Sequence, residues 1–290
     1  KIIPIKNNRV IMKVKTAIVT GANTGIGKEI ALFLGKRGIK VFLASRSYER
    51  TLPVINALEK LRGAQKCEWI SLNLDSLGSV HTCADTFLKK NASLNYLFNN
   101  AGFAGLRGLT KEGFELAFGV NYFGHYVLTR RLETALLSSK NARIINVSSK
   151  IHNRVKKLDF PSLRKFTQSS SGINEYAVSK LANILFTCEL HRRYRSVGLS
   201  SFAVHPGLVD TDIWRTLPFF LRPLLKLRGM LSAEDGAKNV VSCAFDFDTT
   251  LSGRYFSKCL PTKPSKLAME EKLAVELWEK SESWMDQYSR

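Results

Sequence analysis

Short apolar runs rich in β-branched residues alternate along the chain with longer segments of helical periodicity. The apolar runs predict strands at Thr16–Thr20, Lys40–Ala44, Glu68–Leu72, Asn95–Phe98, Arg143–Val147, Leu199–Val204 and Arg254–Phe256. The longer segments predict helices at residues 25–37, 48–62, 78–90, 111–137, 174–197 and 233–245. Strands that alternate with helices in this way are typical of an α/β fold, with a parallel sheet, right-handed crossovers and helices on both faces.

Two segments interrupt this alternation. Lys150–Gly172 is polar and basic, and it is predicted to be a long loop. Trp214–Met230 mixes apolar and basic residues with two prolines, so we expect a substrate lid at about residues 212–231. With no internal repeat or low-complexity linker, residues 1–290 are expected to form a single domain.

The composition favours a globular, strongly basic protein. The chain has 44 Lys and Arg against 24 Asp and Glu, a net charge of +20, and 44% hydrophobic residues. A mainly disordered chain is excluded by that hydrophobic fraction. The charge is compatible with nucleic acid, an anionic membrane surface or an anionic small molecule as partner.

The five cysteines are widely spaced and form no C-x-x-C pair, which argues against a disulfide scaffold or a zinc site. We therefore expect an intracellular, reducing location. No apolar run approaches the roughly 20 residues that span a bilayer. Because residue 1 is Lys rather than Met, a preceding membrane anchor or targeting segment stays open.

A glycine-rich segment follows the first predicted strand and precedes the first helix. Its candidate cofactor-binding residues are Gly21, Asn23, Thr24, Gly25, Ile26 and Gly27. Glycines at such a turn let the backbone approach a pyrophosphate, and the helix N-terminus supplies free N–H groups. The spacing is G-x-x-x-G-x-G rather than the commoner G-x-G-x-x-G.

The second predicted strand lacks the terminal Asp or Glu that binds the ribose 2′-hydroxyl of NAD. It is followed by Ser45 and Arg46. An Arg guanidinium pairs with a 2′-phosphate, which a carboxylate would repel, so NADP is favoured over NAD. The alternative, that Arg46 is an ordinary solvated charge, stays open.

Tyr176 and Lys180 are four residues apart on a predicted helix and therefore share a face. A free Tyr has a pKa of about 10, and a nearby ammonium lowers it towards the range of a useful acid/base. Ser149 follows a predicted central strand, where α/β folds bind ligands, although a simple strand-end cap is the alternative. No G-x-S-x-G motif surrounds it, which disfavours a hydrolase.

Further motifs complete the pattern, namely Asn99-Asn100-Ala101-Gly102, Val120-Asn121-Tyr-Phe-Gly124-His125 and Pro206-Gly207-Leu-Val-Asp-Thr211. Together with the glycine segment and the Tyr176/Lys180 pair, they resemble the short-chain dehydrogenase/reductase family over nearly the whole chain. The segments 118–125 and 253–282 are similar to the retinol dehydrogenase branch. The resemblance implies a Rossmann-like, doubly wound fold.

The resemblance also implies residue roles. Tyr176 would be the general acid/base, Lys180 would lower its pKa and bind the nicotinamide ribose, and Ser149 would hold the substrate oxygen. Asn121 would fix a helix bend and support a water-linked proton relay to Lys180. The cofactor would also be bordered by Asn73, Leu74, Asn99, Ala101, Gly102, Pro206, Gly207, Val209 and Thr211. Asn73 departs from the family's usual Asp, but its amide oxygen can still accept the adenine N–H.

The expected function is that of an NADP(H)-dependent oxidoreductase. It would interconvert a lipophilic alcohol, such as a retinoid, steroid or fatty alcohol, with its aldehyde or ketone by hydride transfer. The apolar lid suits a lipid-like substrate, and its interleaved cations predict peripheral contact with a membrane, at the endoplasmic reticulum or another organelle surface.

Two other functions and one assembly state stay open. A catalytically silent scaffold is disfavoured by the intact Ser149, Tyr176 and Lys180. A nucleic-acid-binding protein is disfavoured because no recognised module is present. A homo-oligomer is left open. The spacing of His125, His152 and His205 matches no metal site, so no metal is expected.

Overall fold

The computed structural model describes residues 14–91, 93–209 and 230–288. It contains an eight-stranded sheet in the order β3-β2-β1-β4-β5-β6-β7-β8, in which β1 to β7 are parallel and β8 is antiparallel. The strands are β1 Thr16–Thr20, β2 Lys40–Ser45, β3 Glu68–Ser71, β4 Tyr96–Asn99, β5 Arg143–Val147, β6 Ser200–His205, β7 Tyr255–Ser257 and β8 Leu260–Pro261. The α/β fold predicted from the alternating pattern is confirmed.

Helices connect the strands and cover both faces of the sheet. They are α1 Gly25–Lys36, α2 Tyr48–Glu59, α3 Leu77–Leu88, α4 Leu116–Phe118, α5 Gly124–Arg131, α6 Glu133–Leu137, α7 Ile173–Tyr194, α8 Ala233–Phe245 and α9 Glu271–Gln287. A π-helical turn, Gly119–Phe123, joins α4 to α5. Within the described ranges, no helix is long and apolar enough to cross a membrane.

Successive strand residues supply two separate hydrophobic cores. Ile18 packs on one face with residues of α3, α5, α7 and α9, whereas Ala17 and Val19 pack on the other with α1, α2 and α8. Side chains of a strand alternate between faces, so a strand that is covered on both sides has to be apolar throughout. This explains why the strands were recognisable as continuous apolar runs.

The structure corrects the predicted helix at residues 111–137. Its first residues are not helical, because Leu109 and Glu115 form a β-bridge and the Glu115 carboxylate accepts the N–H of Phe118 at 2.8 Å, at the start of α4. The helix is then broken by the π turn. The predicted loop 150–172 also contains two short 3₁₀ turns, Lys150–Arg154 and Phe160–Arg164.

The C-terminal helix α9 and strand β8 have no counterpart in the sequence predictions. In α9, Ala274, Leu277, Trp278 and Ser281 are buried at helical spacing. Trp278 packs edge-on against Tyr126 of α5, with ring centroids 5.2 Å apart. The helix therefore completes the core on the face that carries α5 and α7.

The strand order reverses between β1 and β4. From β1 the sheet continues to β2 and β3 on one side, and from β4 to β5, β6 and β7 on the other. Crossovers leave in opposite directions at such a point, and the crevice between them at the carboxyl ends of the strands is where open α/β sheets bind ligands.

The predicted lid at 212–231 lies almost entirely outside the described residues. At its end, Leu231 pairs with Val209, and its N–H donates to the Leu208 carbonyl at 2.7 Å. The extent of the domain stays a prediction.

Candidate active site

A cavity of about 640 Å³ lies at the carboxyl edge of the sheet. Most residues singled out in the sequence line it, although they are spread over nearly two hundred positions. These residues are Gly21, Asn23, Thr24, Gly25, Ile26, Gly27, Arg46, Asn73, Leu74, Ala101, Gly102, Ser149, Tyr176, Lys180, Pro206, Gly207 and Val209. The fold therefore brings the candidate cofactor and catalytic residues into one space.

The glycine-rich turn packs closely against the loop after β4. Gly21 and Gly25 have φ values of 68° and 53°, in the left-handed region that favours glycine. A Cβ at Gly27 would lie 2.2 Å from the Gly21 carbonyl oxygen and 2.7 Å from the Asn100 amide nitrogen. Since α1 begins at Gly25, its unpaired N–H groups and positive dipole end lie at the cavity wall.

Two cations without an acidic partner among the described residues lie beside the end of β2. Ser45 is engaged in structure, because its Oγ accepts from Trp69 Nε1 at 2.9 Å and lies 2.6 Å from the Thr51 hydroxyl. Arg46 and Arg50 line the cavity, and neither is ion-paired with a described residue. Beside them, Asn73 donates its amide N–H to Asp75 at 2.6 Å.

The two serines after β5 have different surroundings. Ser148 is fully buried, and its Oγ donates to the Lys180 carbonyl at 2.7 Å, which holds α7 against the strand end. The hydroxyl of Ser149 lies at the cavity wall near that of Tyr176. The second serine is thus the one placed to share a ligand with Tyr176.

Burial controls the charge state of both titratable groups at this wall. Burial raises the pKa of Tyr176 to about 12, although the nearby Ser149 hydroxyl acts in the opposite direction. It lowers the pKa of Lys180 to about 7. Lys180 Nζ donates to the Val147 carbonyl at 2.9 Å and lies 5.5 Å from the centre of the Tyr176 ring. Burial thus has the largest effect on the pKa of Tyr176, and the expected lowering of that pKa by Lys180 stays a prediction.

Asn121 lies in the π turn, behind the cavity wall rather than on it. Its Nδ2 donates to the Phe103 carbonyl at 3.1 Å and to Ser179 Oγ at 3.0 Å, and its Oδ1 accepts the Phe103 N–H at 3.1 Å. A Cβ at Gly102 would lie 2.9 Å from Asn121 Oδ1 and 3.5 Å from Lys180 Nζ. Asn121 therefore holds the loop that separates the π turn from Lys180.

Asn99 was expected to border the cofactor, and this expectation needs correction. Asn99 is buried, does not line the cavity, and donates from Nδ2 to Thr129 and Asn146. Its neighbour Asn100 lines the cavity instead, because adjacent residues at a strand end face opposite sides. Thr211 lies outside the described residues.

An apolar wall was not predicted. It consists of Phe103, Leu106, Leu116, Val120, Ile151 and Leu208. Two of these residues lie just after predicted motif residues: Phe103 follows Gly102, and Ile151 lies two positions after Ser149. This closeness to the motifs is the signal from which the apolar wall could have been predicted. In the described part of the chain, no three His, Cys, Asp or Glu side chains are arranged to hold a metal ion.

The arrangement fits a nicotinamide dinucleotide. The glycine turn and the start of α1 provide a close backbone approach for a pyrophosphate, which a side chain at Gly27 would block. Arg46 and Asn73 follow β2 and β3, and Arg50 lies in the first turn of α2, whereas Ser149 follows β5 and Tyr176 and Lys180 belong to α7. The cavity thus has a basic part for a phosphate and a separate part with proton-transfer groups.

The chain is similar to known proteins over most of its length. A family model for short chain dehydrogenases matches residues 15–159. Dehydrogenase/reductase SDR family member 13 of Bos taurus is 38% identical over 273 residues, covering 92% of this chain and 72% of that protein. The chain belongs to the short-chain dehydrogenase family.

The retinol dehydrogenase branch is supported as well. Retinol dehydrogenase 11 of Homo sapiens is 36% identical over 279 residues, covering 92% of this short-chain dehydrogenase and 84% of the relative. Membership makes the protein an NAD(P)-dependent oxidoreductase that acts on alcohol or carbonyl groups.

Solved structures agree with the fold. A protein from Mycobacterium paratuberculosis superposes with a TM-score of 0.75 at 28% identity, covering 94% of this chain and 93% of that one. The NADPH-bound carbonyl reductase from chicken fatty liver superposes with a TM-score of 0.66 at 22% identity, covering 87% and 100% of the two chains. At that identity the second likeness shows the fold alone.

The glycine turn gives a first testable prediction. Gly27→Ala places a methyl group against the Gly21 carbonyl, so we expect NADPH affinity to fall at least about tenfold, with a lower melting temperature. Gly78→Ala in α3 is the matched control, because its new Cβ meets only Ser76 Oγ at 3.9 Å. Fluorescence titration with NADPH and calorimetry measure both effects. Wild-type affinity in Gly27→Ala contradicts the close-packed turn.

Proposed function

We propose that this protein is an NADP(H)-dependent oxidoreductase that interconverts a lipophilic alcohol with its aldehyde or ketone. The observation that carries the proposal is that Ser149, Tyr176 and Lys180 line the same cavity as the glycine turn. Tyr176 and Lys180 lie one helical turn apart on α7. A candidate proton donor and a candidate cofactor cradle therefore share one space.

In carbonyl reduction, Ser149 and Tyr176 hold the substrate oxygen between their hydroxyl groups. A nicotinamide dinucleotide held by the glycine turn and Arg46 would supply the hydride that the carbonyl carbon accepts. Tyr176 donates its phenolic proton to the oxygen, so that an alcohol forms and a phenolate is left behind. Alcohol oxidation is the reverse, with Tyr176 accepting the proton.

Lys180 stabilises the phenolate when its ammonium is charged. Its pKa of about 7 keeps it close to the point of proton exchange near neutral pH. The Val147 carbonyl fixes Nζ, and Asn121 supports the path by which the proton returns to Tyr176.

Replacing the phenol tests the mechanism. Tyr176→Phe removes the transferable proton without changing the ring, so we expect turnover to fall by at least about 10²-fold while NADPH affinity stays within about twofold. The assay uses retinal, a steroid ketone and medium-chain aldehydes, each with NADPH and with NADH. Tyr48→Phe is the control, because Tyr48 is exposed and outside the cavity. Near-normal turnover by Tyr176→Phe would falsify the assignment.

The preference for NADP rests on Arg46 and Arg50. Two cations without acidic partners among the described residues line the cavity beside β2, and no carboxylate ends that strand. A 2′-phosphate forms charge-assisted hydrogen bonds with such groups, whereas a 2′-hydroxyl gains little from them.

We expect Arg46→Ala to raise the KM for NADPH at least about tenfold and to leave that for NADH nearly unchanged, since one charged hydrogen bond is lost. Arg62→Ala is the control, because Arg62 is exposed but does not line the cavity. Steady-state kinetics with both cofactors measure the effect. An equal change for NADPH and NADH argues against a 2′-phosphate contact.

A lipophilic substrate is supported by the apolar wall, in which Phe103, Leu106 and Leu116 line the cavity. The similarity to retinol dehydrogenases agrees with such a substrate. We extend the proposal to the segment Trp214–Met230, whose apolar and basic composition suits contact with an anionic membrane.

Liposome co-sedimentation tests this extension. Changing Phe219 and Phe220 together to Ser is expected to reduce binding to anionic liposomes at least about fivefold, because apolar area is lost at the interface. Leu137→Ser is the control, because it also makes an exposed apolar residue polar: Leu137 is 40% exposed at the end of α6, near the amino-terminal edge of the sheet. Unchanged binding of the Phe219/Phe220 variant rejects the membrane contact.

A further inference from the structure

The neighbours of the Thr20 hydroxyl, at the end of β1, determine which hydrogen bonds it accepts and which one it donates. Its Oγ1 accepts the N–H groups of Asn100 and Ala101, each at 2.9 Å. These two bonds use both lone pairs, so the hydroxyl proton is free to donate. The nearest acceptor is His125 Nε2 at 2.8 Å, closer than the Phe98 carbonyl at 3.2 Å.

The other side of the His125 ring gives a consistent assignment. Nδ1 lies 3.0 Å from the carbonyl oxygen of Asn121, which can only accept. Nδ1 therefore carries the proton, and Nε2 is the bare nitrogen that accepts from Thr20. His125 is 1% exposed, and burial lowers its pKa to about 4, an effect that the charge of Lys180 reinforces. The ring is neutral at physiological pH.

His125 thus connects two parts of the site without lining the cavity itself. Its Nε2 contacts Thr20, which holds the cavity-lining residues Asn100 and Ala101. Its Nδ1 contacts the π turn at Asn121, whose side chain holds Phe103 and Ser179. Ser179 in turn donates to the Tyr176 carbonyl at 2.7 Å.

We propose that His125 is a positioning residue that couples the cofactor-binding loops after β1 and β4 to the π turn that carries Asn121. The Thr20 contact aligns the loops against which the dinucleotide binds. The Asn121 contact fixes the π turn, whose Asn121 side chain lies, like Lys180 Nζ, close to Gly102. This inference rests on the proposed function, since it assigns Asn121 a part in proton return.

Two isosteric variants separate the two contacts. In His125→Gln, an amide oxygen near the position of Nε2 can still accept from Thr20, but the donor to the Asn121 carbonyl is lost. In His125→Asn, an amide nitrogen near the position of Nδ1 can still donate to that carbonyl, but the acceptor for Thr20 is lost. The variants are therefore expected to have opposite defects.

For His125→Gln, we expect kcat to fall about tenfold and NADPH affinity to stay within about twofold, as one buried hydrogen bond is removed from the proton path. For His125→Asn, we expect NADPH affinity to fall about tenfold and kcat at saturating NADPH to stay within about twofold. Fluorescence titration measures affinity independently of turnover. His81→Gln is the control, because His81 lies on α3 outside the cavity.

Thr20→Ser and Thr20→Val extend the test with His125 intact. Serine keeps the hydroxyl and is expected to retain NADPH affinity. Valine loses the donor to His125 and also the acceptor for the N–H groups of Asn100 and Ala101, so it is expected to bind NADPH at least as weakly as His125→Asn. Combining Thr20→Val with His125→Asn is expected to add no loss beyond that of Thr20→Val, because valine has already removed the contact that His125→Asn removes. Additive losses in the double variant contradict the coupling.

The outcomes distinguish this inference from the proposed function. If the wild-type protein reduces none of the carbonyl substrates, the proposed function fails, while the affinity measurements still test the Thr20 contact. If the wild type is active and both His125 variants lose kcat and affinity together, or neither changes, the positioning role is overturned. Nitrogen chemical shifts of the wild-type imidazole provide a check without any mutation: a protonated Nε2 at neutral pH overturns the assignment.

Discussion

The buried ammonium group of Lys180 is the constraint on which the site depends. Lys180 is 2% exposed, and removing its charge from water is costly unless hydrogen bonds compensate. The Val147 carbonyl receives its Nζ, and this oxygen is available because β5 ends at Val147. Ser148 then fixes α7 to the same strand end by bonding the Lys180 carbonyl. The position of α7 is therefore set by the end of β5. Gly102 must lack a side chain because Lys180 and Asn121 lie so close to it.

The same physics explains which features were predictable from sequence. Strands covered on both faces leave continuous apolar runs, so β1 and β5 were located to the residue. The glycine turn and the Tyr176/Lys180 spacing are local patterns that carry their own chemistry. By contrast, Asn99 and Asn100 are the same residue type, and only the strand geometry shows which one reaches the cavity. The apolar wall and the π turn depend on contacts between distant segments, which local periodicity does not report.

The basic residues behind the net charge of +20 have different structural roles. Some cations are engaged in ion pairs, as when Lys238 binds Glu234 and Asp235 on α8. Such pairs are largely structural and contribute little at an exposed surface. The cavity is different, since its lining among the described residues contains four basic side chains and one acid: Arg46, Arg50, Lys150, Lys180 and Asp75. The basic balance of the chain thus has a local counterpart at the site, where it favours an anionic ligand.

This imbalance bears on the protonation of Lys180. With the cavity solvent-filled, burial lowers the pKa of the ammonium to about 7, so that a large fraction is neutral under physiological conditions. An anionic ligand in the same cavity favours the charged form and moves the pKa upwards, whereas His125 stays neutral because its two nitrogens are already bonded. Binding of an anionic ligand and protonation of Lys180 are therefore linked.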